Sequence, residues 1–307
     1  MPAIQTYYSY SKCYRAYKTI FEVNLAEFVS EVDGWRNKQF ATIRNCSKEY
    51  KLRLFFDTTL AESYHSASQI TRVLTESWVQ DNLYCPRCGN KSVSKFENNR
   101  PVADFFCPKC QNQYELKSKA GSIAEKVNDG AYETMIKRII SNQNPDFLFM
   151  RYSKDAYMVD DLIIVPKHFF TPSIIEKRKP LVPTARRAGW IGCNILVNKI
   201  PEQGRISIVK CGEVLDKGQV MEKVSNGFLL KTDSLDSRGW LMDVLNCINA
   251  ISDKVFTLSQ IYSFENELQA KHPNNHNVKP KIRQQLQFLR NKGFVEFLGN
   301  GIYMKAL

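Results

Sequence analysis

The chain is 307 residues long, room for about two domains at roughly 150 residues each. Its hydrophobic content of 43% and charged content of 24% are those of a folded globular protein and exclude a disordered or fibrous one. Lys and Arg number 43 against 31 Asp and Glu, a formal charge of +12 that excludes an acidic solvating protein and favours a polyanionic partner.

No apolar run approaches the ~18 residues of a membrane span, and the first residues lack the apolar stretch of a signal peptide. The expected location is therefore the cytoplasm, without membrane association. Thiols stay reduced there, so nine cysteines argue against a disulfide scaffold.

In chain order, residues 1–50 are rich in tyrosine (Tyr7, Tyr8, Tyr10, Tyr14, Tyr17), with a helix expected over Phe21–Val32 and no evident chemistry. Residues 66–81 read as a helix with Ile70, Val73, Leu74, Trp78 and Val79 on one face. Strands are predicted at Val102–Phe106 and Gln113–Lys117, a helix at 129–141, and buried strands at Phe147–Tyr152, Met158–Val165 and Ile206–Val209. This order predicts an α/β (α+β) core.

After Asp233 the texture changes. Trp240–Ile251 reads as a helix, and Thr257-Leu-Ser-Gln260 as a capping box opening a second one. Pro280 fits the first turn of a third, whose apolar stripe is Ile282, Leu286 and Leu289. Val295–Leu298 and Ile302–Lys305 flank Gly299-Asn300-Gly301, a strong hairpin signal. Three helices followed by a hairpin is winged-helix order.

Two constellations carry chemistry. Cys85-Pro-Arg-Cys88 and Cys107-Pro-Lys-Cys110 are paired knuckles at zinc spacing. Four thiolates leave no open position for water, so the expected Zn²⁺ is structural. Before and after the second pair lie Pro101-Val-Ala-Asp104 and Glu115-Leu-Lys117. Strand alternation puts Glu115 and Lys117 on one face, and a hairpin brings Asp104 beside Glu115. Asp104, Glu115 and the Leu116 carbonyl are candidate Mg²⁺ ligands. Lys117 is a candidate to orient or help deprotonate a water and to steady developing charge. This is the PD-(D/E)xK nuclease pattern. It is weak alone, since Glu49-Tyr-Lys51 is another ExK, but apolar strands and helices frame it.

The segments YCPRCGN, FENNRPVADFFCPKC, YELKSK, NDGAY, PLVPTARRAGWIGCNI and KIRQQLQFLR together resemble the DpnI-type (Type IIM) methyl-directed restriction endonucleases, from about Leu52 to Leu307. The resemblance implies a PD-(D/E)xK catalytic domain with a four-cysteine zinc site, at 51–234, and a C-terminal winged-helix domain, at 235–307. Residues 1–50 form an N-terminal extension outside it.

It further implies cleavage of double-stranded DNA at 5′-GATC-3′ carrying N6-methyladenine, with catalytic Mg²⁺. Asp104, Glu115 and Lys117 would be the catalytic set, and Cys85, Cys88, Cys107 and Cys110 the zinc ligands. Trp190 would help form the methyl-adenine pocket beside Arg186 and Arg187. A methyl group offers no hydrogen bond, so apolar contact must read it. The winged-helix reading puts Lys281, Arg283, Gln284 and Gln287 at the major groove, where a methyl on adenine N6 is exposed, and Lys279 with the hairpin on phosphates; the protein is expected to be a monomer.

Charge clusters accordingly. Residues 85–120 hold seven Lys/Arg against three Asp/Glu, residues 171–200 six against one, and residues 271–307 seven against one. Two other readings stand beside this one: a PD-(D/E)xK nuclease of other or methyl-independent specificity, and a non-catalytic zinc and winged-helix reader of methylated DNA.

Overall fold

The computed structural model describes residues 52–97 and 103–306. The tyrosine-rich segment, the Phe21–Val32 helix, Cys13, Cys46, Pro101 and Val102 lie outside the described residues.

The chain enters through helix α1 (Ala67–Asn82), which buries Leu74, Trp78 and Val79 as its apolar period requires. Short strands β1 (Ser94–Lys95) and β2 (Phe105–Phe106) lead to β3 (Gln113–Lys119). The chain then forms β4 (Lys126–Ala131) and helix α2 (Tyr132–Ile140) before β5 (Asp146–Ser153) and β6 (Met158–Val165). Strands β7 (Ile175–Lys177), β8 (Gly192–Leu196), β9 (Ile206–Lys210) and β10 (Glu213–Val214) follow, then helix α3 (Lys217–Phe228).

Seven strands make the main sheet in the order β1-β2-β3-β5-β6-β9-β10. Only β3 and β5 run parallel, as the intervening crossover through β4 and α2 dictates. The burial of Phe147 to Met150 on both sides explains why β5 reads as a continuous apolar run. One face of the sheet packs on α1 and α3. The other meets α2 and a smaller antiparallel sheet, β4-β8-β7.

Helix α2 starts at Tyr132, three residues later than its period suggests. Lys126–Ala131 instead pair with Gly192–Leu196 of β8. That partner is some 65 residues away, and β7, β8 and α3 carried no pattern clear enough to read.

Helix α4 (Leu235–Ala250) opens on Ser234, whose hydroxyl accepts the Ser237 N–H at 3.1 Å. Strand β11 (Val255–Thr257) ends on the capping box. The Gln260 N–H donates to Thr257 Oγ1 at 3.2 Å, and the Thr257 N–H to Gln260 Oε1 at 2.7 Å. The box opens α5 (Leu258–Tyr262), which is separate from α6 (Glu265–Lys271). Helix α7 (Val278–Asn291) carries Pro280 in its first turn. Strands β12 (Val295–Gly299) and β13 (Ile302–Lys305) turn through Asn300 and Gly301, both with positive φ (47° and 72°).

Strand β11 adds a third member to this wing, in the order β11-β13-β12. The result is a mixed α/β core followed by a C-terminal helix-turn-helix fold. One cluster of buried side chains runs from Ile123 through Trp240 to Val295, so the two parts share core. Buried Arg238 fastens α4 to the main body, donating to the Phe170 carbonyl at 3.2 Å and to Asn142 Oδ1 at 3.3 Å.

Candidate active site and metal centre

Asp104 stands immediately before β2. Its N–H donates to the Tyr114 carbonyl and its carbonyl accepts from the Phe96 N–H, each at 2.9 Å. Strand β2 pairs with β3 only at Gln113 and Tyr114, so beyond Tyr114 that edge of β3 is open. There Asp104 Oδ2 accepts the Leu116 N–H at 2.7 Å. In a strand the N–H and C=O of one residue point to the same edge. The Leu116 carbonyl therefore faces the edge that Asp104 occupies.

Glu115 and Lys117 share one face of β3. Glu115 Oε1 meets Lys117 Nζ at 2.6 Å, and Glu115 Oε2 accepts from Arg138 Nη2 of α2 at 3.1 Å. Lys117 Nζ is also ion-paired with Asp129 of β4. Burial pushes the Asp104 carboxyl above the usual aspartate range; the Leu116 N–H opposes this and the charge of Glu115 adds to it. Burial by itself would lower Lys117, but Glu115 and then Asp129 outweigh it and hold the ammonium above its ordinary value.

From α1, buried Glu76 joins the group, with Oε1 on Arg72 Nε at 2.8 Å and Oε2 on Lys95 Nζ at 2.7 Å. Asp129, Arg138 and Glu76 escaped the reading of the sequence. Asp129 belongs to the Asn128-Asp-Gly-Ala-Tyr132 segment of the family resemblance, the one signal that marks it. Arg138 and Glu76 sit in helices whose period says which face is buried but not what the polar face meets.

The two cysteine knuckles repeat one geometry. The Gly89 N–H donates to the Cys85 carbonyl and the Gln111 N–H to the Cys107 carbonyl, each at 2.9 Å. Both turns use a left-handed residue, Gly89 (φ 73°) and Gln111 (φ 58°). The four sulfurs lie within 4.8 Å of one another, with Cys85–Cys110 and Cys88–Cys107 at 3.6 Å. Zn–S bonds of about 2.3 Å in a tetrahedron need sulfurs roughly 3.8 Å apart, so this cluster is compatible with zinc. It is the one such cluster of three or more potential ligands among the described residues.

The knuckles are tied to the sheet that carries Glu115. The Tyr114 hydroxyl lies 3.0 Å from Cys85 Sγ. Arg87 donates to Asn112 Oδ1 at 2.8 Å, and Asn112 Nδ2 donates to buried Asp146 of β5 at 2.7 Å. Cys193 and Cys247 are buried and Cys211 is exposed; none joins the cluster.

The candidate DNA-contacting residues fall in two other places. Arg186, Arg187 and Trp190 lie in the loop between β7 and β8, closed by the Leu181 N–H on the Trp190 carbonyl at 2.9 Å. The Arg187 guanidinium lies over the Trp190 ring at 4.5 Å, and both arginines are exposed. The ring's far edge rests on Gly192, where an added Cβ would come within 2.8 Å of it.

On α7, Lys279, Arg283, Gln284, Gln287 and Arg290 form one exposed arc. Arg283 donates to the Tyr262 hydroxyl at 2.9 Å, and Lys279 pairs with Glu265 at 3.1 Å. Lys281 lies off this arc, half-buried and 3.9 Å from Asp236. Arg290 is the arc residue that sequence reasoning left out.

The family model described as the Dam-replacing family (DpnI) matches residues 52–233, more than half of the chain. The model described as the Dam-replacing HTH domain matches residues 236–305. Among the described residues, no helix is long and apolar enough to cross a membrane.

Proposed function

The chain belongs to the Dam-replacing family of methyl-directed restriction enzymes, and from that premise we propose that it cuts double-stranded DNA at GATC sites containing N6-methyladenine, using Mg²⁺ for catalysis and Zn²⁺ for structure. The observation that carries catalysis is Asp104 bound to the Leu116 N–H at the open edge of β3, with Glu115 and Lys117 on the adjoining face.

The carboxylates of Asp104 and Glu115 and the Leu116 carbonyl would hold the ion; they are the hard oxygen donors that Mg²⁺ takes. When bound, Mg²⁺ polarises the phosphate and acidifies water. Lys117 is charged between Glu115 and Asp129, so it donates. Its role is to orient the attacking water and to steady the phosphate oxygens as they gain charge. The water oxygen bonds to phosphorus as the water gives up a proton to solvent, the P–O ester bond breaks, and the leaving oxygen takes up a proton from solvent.

In this reading, residues 51–234 form the catalytic unit and 235–307 the winged helix, with 1–50 an extension. Helix α7 lies in the major groove, where the N6 position of adenine is exposed. Gln284 and Gln287 face the adenine edge; Lys279 and Arg283 meet phosphates, with Lys281 on the helix shoulder. Trp190 gives the methyl group an apolar surface, and Arg186 and Arg187 hold the backbone beside it. The protein acts as a cytoplasmic monomer.

The test is a pair of identical plasmids, one N6-methylated at GATC and one not, incubated with protein and Mg²⁺. Cutting of the methylated plasmid alone supports the reading. Equal cutting removes the methyl specificity, and binding without cutting makes the protein a reader.

A further inference from the structure

Arg138 stands in the last turn of α2, and its side chain is only 14% exposed. Its neighbours on that helix, Met135 and Ile139, are buried in the apolar core. From there its Nη2 donates to Glu115 Oε2 at 3.1 Å, while Lys117 Nζ holds Oε1 at 2.6 Å. The two oxygens of one carboxylate are thus gripped from different elements, α2 and β3. The last torsion of a glutamate is soft, and a carboxylate held by one oxygen turns readily about it. Charge-assisted grips on both oxygens fix its plane.

Folding gives little reason for this pair. An arginine–carboxylate pair enclosed by apolar side chains is often no more stabilising than apolar residues of the same volume. Charge gives a better one. Glu76 is answered by Arg72 and Lys95, and Glu115 and Asp129 are answered by Lys117 and Arg138. Asp104, which feels the charges of Glu76, Glu115 and Lys117, completes the set. Carboxylates and cations then match in number, so the set offers a divalent cation oxygen donors without a surplus of negative charge. Arg138 keeps that balance at any working pH, because a guanidinium does not give up its proton in proteins.

We propose that Arg138 is a positioning residue of the nuclease site: it fixes the plane of Glu115 for Mg²⁺ and, by its charge, keeps the ion loosely held until DNA phosphate brings further negative charge. This role rests on the nuclease reading above and adds to it what sets the strength of the metal site. Loss of Arg138 therefore has two effects of opposite sign. The protein alone binds the ion more tightly, and cutting slows because the plane of Glu115 is no longer fixed. An arginine that only fastened α2 to the sheet would not tighten the metal site when removed.

The experiment uses the full chain with its zinc, and Mn²⁺ as the probe, followed by the electron paramagnetic resonance signal of free Mn²⁺. Asp104→Ala marks which binding belongs to the site. Arg138→Gln should bind Mn²⁺ about tenfold more tightly than wild type. It should cut methylated plasmid roughly a hundredfold more slowly in single turnovers at saturating Mg²⁺. Arg138→Lys keeps the charge, so its Mn²⁺ affinity should stay within about twofold of wild type, and it should recover part of the rate. If Arg138→Gln fails to fold, Arg138→Met, which keeps the packing of the buried stem, is read in the same way. Mn²⁺ affinity that is unchanged or weaker, or a rate that is unchanged, overturns the role of Arg138, while cutting by the wild type upholds the nuclease reading. Wild-type protein with no Asp104-dependent Mn²⁺ binding and no cutting of methylated DNA removes the nuclease reading and this role with it.

Discussion

Lys117 of β3 is ion-paired to Asp129 of β4, a residue of the smaller sheet. That sheet also carries the Trp190 loop, since Asp129 pairs in register with Cys193 of β8, three residues past Trp190. The ammonium proposed to act on the phosphate and the ring proposed to read the methyl group are thus held by one three-stranded unit. Asp129→Asn should leave the fold intact and misplace Lys117. Single-turnover cleavage of methylated plasmid should fall by roughly a hundredfold, with DNA affinity within about twofold of wild type. An unchanged rate would mean that Glu115 alone positions the lysine.

Zinc removal should disable the nuclease without touching its carboxylates. The second knuckle is the loop between β2 and β3, and β2 places Asp104. Structural zinc in such sites contributes on the order of 10 kcal/mol. Protein stripped by a chelator, or carrying Cys88→Ser, should lose one bound zinc per chain, melt at a lower temperature and fail to cut with Mg²⁺ in excess. Metal content by mass spectrometry together with thermal unfolding checks this. A fully active, zinc-free protein would remove the metal from the argument.

Gly192→Ala should blunt methyl discrimination. The new Cβ would lie 2.8 Å from two ring atoms of Trp190, well inside contact distance, so the ring must move. If Trp190 reads the methyl group, the ratio of cleavage rates on methylated and unmethylated plasmid should drop by about tenfold, the value of roughly 1–2 kcal/mol of apolar contact. Asp104, Glu115 and Lys117 are untouched, so a rate on unmethylated DNA that stays constant or rises fits. A preserved ratio would place methyl reading elsewhere, on α7.

Stability should fall in mild acid because of His168. Its Nε2 lies 2.7 Å from the Gly227 carbonyl, its Nδ1 has no partner, and Phe169 and Phe228 pack on the ring. Burial lowers its pKa from 6.5 to about 4, against the opposing Gly227 hydrogen bond. Between those values only the unfolded chain takes the proton. This group's share of stability is therefore complete above pH 6.5 and is lost as pH falls toward 4, up to about 3 kcal/mol. Urea unfolding from pH 4.5 to 7 should show the decline, and His168→Phe should flatten it. Equal pH slopes for both proteins would count against the buried neutral histidine.

Much of the site was legible because its signals are local. A knuckle spans four residues, a capping box four, and an Asn-Gly hairpin about ten. The alternation that puts Glu115 and Lys117 on one face is a property of β3 alone, whatever it pairs with. Each of these follows from backbone geometry within a single turn or strand.

The partners of those residues were decided by tertiary structure. Asp129 reads as the start of a helix, yet pairing with Cys193 across 64 positions holds it extended and turns its carboxylate onto Lys117. Arg138 reaches Glu115 only because the β3–β5 crossover lays α2 on that face of the sheet. Arg72 and Glu76 sit on the polar side of α1, and only the packing of α1 on β3 places them beside Asp104. Periodicity in sequence assigns a face to an element. Which groups meet across two faces depends on long-range strand order and packing, and these were not written in any one stretch of the chain.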